Sequence, residues 1–188
     1  MKRYLFLFFL VFISFWNSYA QPMPQVIDTI PQVIESADVK LTSTNSPYTV
    51  DKSILISEGR KLIIEKGVVL NFTGQDKYID VRGLFEVYGG ATINMSGKGT
   101  QIKTEGVGKL EFNGTSEDSV IVSGANWKGI DINNSGSTIK YSSIMVTGDH
   151  NYWDWFVQLQ GSSIENSRIS GSQYGPRIES NSTIKNSK

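Results

Sequence analysis

The sequence predicts an all-β chain wound as a right-handed parallel β-helix, a solenoid of about six coils at roughly 20–25 residues each. Three observations predict it. From Gln21 onward there are 19 Ile and 13 Val against 7 Leu and 3 Ala, and β-branched residues favour strands where Leu and Ala favour helices. Gly, Ser, Asn and Thr make up more than a third of the same stretch, a composition of turns repeated often. An eight-residue pattern then recurs near the C-terminus at the spacing of one coil.

The chain has 188 residues, 18 basic, 18 acidic, one His and no Cys. That length suits one domain. The missing thiols exclude a disulfide framework, a Cys-ligated zinc site and a cysteine nucleophile. The balanced charge leaves no basic stripe for nucleic acid.

Residues 1–20 read as a secretory signal peptide. Lys2 and Arg3 precede an apolar run from Tyr4 to Trp16, and Ser18-Tyr19-Ala20 has the small-x-small form of a cleavage site. The run is shorter than the about 20 residues of a membrane span. The expected product is secreted, extracellular or periplasmic, with no membrane span after cleavage.

Residues 21–46 carry an echo, Pro24-Gln25-Val26-Ile27 against Pro31-Gln32-Val33-Ile34. Prolines so spaced oppose a helix and a central strand. The segment is either a spacer or an edge segment covering the first coil of a domain that spans 47–188.

From Pro47 short apolar stretches alternate with Gly or Asn. They are Ile54-Leu55-Ile56, Leu62-Ile63-Ile64, Val68-Val69-Leu70, Ile79-Asp80-Val81, Leu84-Phe85-Glu86-Val87, Leu110-Glu111-Phe112, Val120-Ile121-Val122 and Ile130-Asp131-Ile132. Strands of three or four residues are short for a sandwich but suit a coil, in which each pairs with its equivalent about 4.8 Å away. Arg60-Lys61 reads as a solvated edge beside Leu62, and Glu117-Asp118 as a solvated turn.

The repeat itself is Ser137-Thr138-Ile139-Lys140-Tyr141-Ser142-Ser143-Ile144, then Ser162-Ser163-Ile164-Glu165-Asn166-Ser167-Arg168-Ile169, then Ser182-Thr183-Ile184-Lys185-Asn186-Ser187-Lys188. Their first isoleucines lie 25 and 20 residues apart. Both isoleucines should point inward, and Asn166 and Asn186 should stack side chain to side chain along the axis. The third copy stops short of its second isoleucine, so the solenoid is expected to lack its C-terminal cap. Two expectations follow: a chain that is the first part of a longer protein, or self-association through the C-terminal coil.

Ser46-Pro47-Tyr48-Thr49-Val50 followed by Leu62-Ile63-Ile64-Glu65-Lys66-Gly67-Val68-Val69-Leu70-Asn71-Phe72 resembles the opening turn of secreted parallel β-helix proteins of the pectin-lyase-like superfamily. Ile79-Asp80-Val81-Arg82-Gly83-Leu84-Phe85 and Trp127-Lys128-Gly129-Ile130-Asp131-Ile132 fit the same pattern. The likeness covers about residues 46–188, with Lys66 where members often carry proline. It implies the fold. It implies no single activity, because the superfamily holds lyases, hydrolases and adhesins, and no catalytic motif of theirs is matched here.

The conspicuous insertion is Gly148-Asp149-His150-Asn151-Tyr152-Trp153-Asp154-Trp155-Phe156, which accounts for the longer repeat and holds the only histidine. Asp149, His150, Tyr152, Trp153, Asp154 and Trp155 are the candidate carbohydrate-binding residues. Aromatic faces stack on sugar rings and carboxylates accept from their hydroxyls. The alternative is an aromatic plug over one sheet. Asp149 and Asp154 make a weak acid–base pair, since residues five apart on a loop fit either separation a glycosidase uses. With Asn151 they fall short of the six to eight oxygens of a calcium site. No metal or cofactor is implied.

The expected function is a secreted, non-enzymatic module that binds polysaccharide or a cell-surface glycan, or acts as an adhesive or structural surface. The alternative is the N-terminal part of a polysaccharide lyase or glycoside hydrolase whose catalytic coils lie beyond Lys188.

Overall fold

The computed structural model describes residues 24–147, 155–171 and 175–188. It is a parallel β-solenoid of about six turns, built from three sheets whose neighbouring strands are all parallel. Sheet I has eight strands: Gln25–Val26, Val39–Leu41, Lys61–Ile64, Leu84–Tyr88, Lys109–Asn113, Thr138–Lys140, Ser163–Glu165 and Thr183–Lys185. Sheet II has seven: Val33–Ile34, Ile54–Ile56, Tyr78–Val81, Gln101–Thr104, Gly129–Ile132, Val157–Leu159 and Arg177–Ile178. Sheet III has six: Tyr48–Val50, Val69–Phe72, Thr92–Asn94, Val120–Ala125, Ser142–Thr147 and Arg168–Ser170. Each turn visits sheet II, then I, then III. All eight apolar stretches picked out above fall on strands, with Val68 just before its own.

The segment 21–46 is drawn into this winding over its described part. Gln25–Val26 pairs with Val39–Leu41, and Val33–Ile34 pairs with Ile54–Ile56. Pro24 and Pro31 sit outside the strands, where a missing N–H breaks no ladder bond.

Alternation within each strand turns one set of side chains inward. Stacked in register, these sets make one apolar column through the molecule. Ile56, Ile64, Leu70, Ile79, Phe85, Ile93, Ile102, Phe112, Ile132, Ile144 and Ile164 are all fully buried. Phe85 and Phe112 meet edge to face on adjacent rungs, their centroids 6.0 Å apart. No helix among the described residues is long and apolar enough to cross a membrane.

The repeat sets the register of the last coils. Ile139, Ile164 and Ile184 are direct partners, as are Ile144 and Ile169. The axial ladder, however, is made by the serines rather than by Asn166 and Asn186. The Ser142 N–H donates to Ser167 Oγ at 3.0 Å, and the Ser167 N–H to Ser187 Oγ at 3.1 Å. Leu110, Ser137 and Ser162 donate likewise to Ser137, Ser162 and Ser182. Each of these serine hydroxyls is short enough to reach the backbone at a corner where the strand ladder lapses. Asn166 and Asn186, with Tyr141 at the equivalent position, instead take positive φ of 51°, 50° and 45° and turn the corner. An asparagine rung does exist on sheet III, where Asn94 Nδ2 donates to Asn71 Oδ1 at 2.6 Å.

Candidate functional site

The insertion leaves the solenoid between sheets III and II, after Ser142–Thr147 and before Val157–Leu159. Asp149, His150, Tyr152, Trp153 and Asp154 lie outside the described residues. Trp155 lies inside them and is 42% exposed, whereas Phe156 is fully buried. Phe156 packs edge to face on Trp127 at 5.0 Å, and Trp127 Nε1 donates to the Met145 carbonyl at 2.9 Å. The end of the insertion is thus anchored in the core by one aromatic pair while its neighbour faces outward.

The described coils hold a second feature, at the opposite edge of sheet II where the chain passes into sheet I. Register aligns Ile56, Val81 and Thr104 at the end of sheet II, and Lys61, Leu84 and Lys109 at the start of sheet I. Residues 57–60 link the first pair, only Arg82 and Gly83 link the second, and residues 105–108 link the third. A two-residue corner between two four-residue corners leaves a notch. It has a volume of about 350 Å³ and is lined by Gly59, Arg60, Lys61, Arg82, Gly83, Leu84, Val107, Lys109 and Glu111.

The short corner is possible because residue 83 has no side chain. A Cβ there would lie 2.1 Å from the Arg60 carbonyl oxygen and 2.4 Å from that of Ser57, so this turn can press against the one below only as glycine. The floor is held from both sides. The Gly83 N–H donates to the Ile56 carbonyl, Leu84 to Arg60, and Lys109 to Gly83. The walls are held too. Arg60 Nε donates to the Glu35 carbonyl at 3.0 Å, and the Asn134 side-chain amide donates to the Gly106 and Gly108 carbonyls. Val107, 61% exposed, stands as an apolar wall beside half-buried Leu84.

The charge around the notch is unequal. Four cations and one carboxylate line it. Arg82 is already engaged, with Asp80 at 3.3 Å and Glu105 at 3.1 Å. Lys103 joins this group from the next rung, 2.5 Å from Glu105 and 3.6 Å from Asp80, with its ammonium 5.0 Å from the centre of the Tyr78 ring. The Lys103 hydrogen bond holds the Glu105 carboxyl below its ordinary pKa, and the same bond holds Lys103 above its own. Lys61 and Lys109 form no ion pair among the described residues. Their Cα atoms stand two rungs apart, about 9.6 Å, across Leu84.

A smaller depression of about 260 Å³ lies among Thr29–Gln32 and Thr49–Ile54, with Asp51 and Lys52 as its only charges. Among the described residues no group of three or more His, Asp or Glu stands ready for a metal ion. The predicted solvated turn at Asp118 makes a contact across the coils. It pairs with Lys66, the residue that stands where the resemblance expects proline.

The notch escaped the sequence reading. Arg60-Lys61 is a solvated edge only when its own coil is considered. Counting the corner residues between aligned strands reveals the missing pair, but the alignment needs Thr104, a polar residue at an inward position, to be recognised as a strand end.

No family profile, curated protein or solved structure matches this chain.

Proposed function

We propose that the protein is an exported, non-enzymatic solenoid module that binds polysaccharide and holds one segment of the chain in the corner notch. One observation carries this reading: a concave site of about 350 Å³ whose apolar floor and wall, Leu84 and Val107, are rimmed by hydrogen-bonding side chains. A sugar ring presents apolar C–H faces and polar edges, and a ligand site of this kind pairs apolar surface with a few placed polar groups. Hydrogen bonds between rungs fix the floor and both walls, so little ordering entropy is lost on binding. The resemblance to secreted β-helix proteins and the signal-like residues 1–20 support export. The insertion contributes Trp153 and Trp155 as stacking faces in the same reading.

The test is to fill the notch. Inserting Ser-Gly between Arg82 and Gly83 gives the short corner the length of its neighbours. Retention on a panel of immobilised polysaccharides should fall at least tenfold, with the β circular-dichroism signal kept and no released oligosaccharide from either protein. Unchanged retention would remove the notch from the reading. Unchanged retention in Trp153→Ala, Trp155→Ala would remove the insertion. Sequencing the exported protein from Gln21 tests the signal.

A further inference from the structure

We propose that the notch recognises an ester oxyanion with three terminal oxygens, a sulfate ester or phosphate monoester, carried on the bound chain. This rests on the polysaccharide reading and names the chemistry of the group that enters.

The argument starts from which cations are already used. Arg82 is neutralised by Asp80 on its own rung and by Glu105 on the next. Arg60 is pinned through Nε to the Glu35 carbonyl. Among the described residues Arg60, Lys61 and Lys109 have no ion pair; Arg60 has its Nε committed to the backbone, and the two lysines, whose ammoniums have no such tie, stand on opposite sides of Leu84. An ammonium is a point charge with three rotatable donors, while a planar carboxylate is best matched by a guanidinium fork. Two ammoniums approaching from opposite walls suit a group that offers acceptors in several directions at once. A sulfate or phosphate ester does so, and a carboxylate with its two coplanar oxygens does so less well.

The Lys109 ammonium lies over Gly136 of the following corner, 3.2 Å from the place a Cβ would occupy there, so a side chain at 136 would crowd it. Lys61 is held at its backbone, where its N–H donates to Asp38 Oδ1 at 3.0 Å, and its ammonium is exposed. Glu111 lies at the sheet I end of the notch. It repels an anion that slides past the lysines and so confines the charged group between them.

Titration calorimetry with dextran, dextran sulfate and phosphorylated dextran tests this. The three polymers share one backbone and separate the two ester sources from each other and from neutral sugar. The wild-type protein should bind at least one ester polymer ten or more times tighter than dextran. Lys61→Gln with Lys109→Gln should abolish that preference, and Lys140→Gln, on the same sheet but outside the notch, should keep it. Equal binding of all three polymers overturns the oxyanion proposal and leaves polysaccharide binding standing. A preference kept by the double lysine variant overturns it as well. If no dextran polymer binds, titration with inorganic sulfate and with inorganic phosphate decides. Amide shifts at Gly83 and Leu84 that vanish in the double variant support the oxyanion site while the polymer reading fails. Their absence overturns the proposal.

Discussion

Two residues show how narrow the chemistry of a corner is. Gly83 has no strained φ; what forbids a side chain is the Arg60 carbonyl 2.1 Å from the Cβ position. That neighbour is backbone and cannot turn aside. Gly83→Ala should therefore lower the unfolding free energy by about 2–3 kcal/mol and open the corner, which urea titration measures; a change within about 0.5 kcal/mol would show that the corner relaxes freely. Lys103 and Glu105 give a pH signature. Glu105 has a lowered pKa when folded, so its contribution is complete above the ordinary carboxylate range and fades as the pH falls through the lower folded value. Lys103 has a raised pKa, so its contribution is complete below the ordinary lysine value and fades as the pH rises through the higher folded one. The stability difference between the wild type and Lys103→Gln should be flat from about pH 5 to about pH 9.5 and shrink on both sides. Both groups are partly exposed, so it should stay under about 1 kcal/mol. A difference independent of pH throughout would mean that the pair does not form.

At the scale of the element, each corner must satisfy the backbone groups that the strands leave over. The serine ladder does this. The Ser167 hydroxyl accepts from the Ser142 N–H and donates to the Glu165 carbonyl, and Ser167 is nearly buried. Ser167→Ala strands a buried N–H and should cost about 1–3 kcal/mol in thermal or urea unfolding. Ser167→Thr retains the hydroxyl and should recover much of it; equal loss in the two would assign the effect to packing. The strands and this repeat were legible in the sequence because both follow a period, two residues within a strand and one coil between strands. The ladder partner was not. Serine and asparagine occur side by side in the last two copies, and periodicity cannot tell which faces inward and which takes positive φ. The notch was less legible still, because it is a difference between consecutive corners and belongs to no single segment. The insertion was visible as composition alone, and of its candidate residues only Trp155 falls among those described.

At the scale of the molecule, a coil touches little beyond the coils on either side, so cooperativity resides in the interfaces between neighbours. The Phe85–Phe112 pair sits in one such interface, near the middle of the stack and beside the notch. Truncating a buried Phe costs about 3–5 kcal/mol. Here the loss falls on the coupling between two halves rather than on either half alone. Trp127, Trp153 and Trp155 all follow Phe112, so after removal of residues 1–20 tryptophan fluorescence reports only the C-terminal half, whereas far-ultraviolet circular dichroism reports every strand. In the wild type the two signals should give one urea midpoint, the mark of a single cooperative unit. In Phe112→Ala the midpoints should separate as one half unfolds before the other. Coincident midpoints in the variant, at any overall loss of stability, would show that order is held across the stack by more than contacts between adjacent coils, and the nearest-neighbour account of this solenoid would fail.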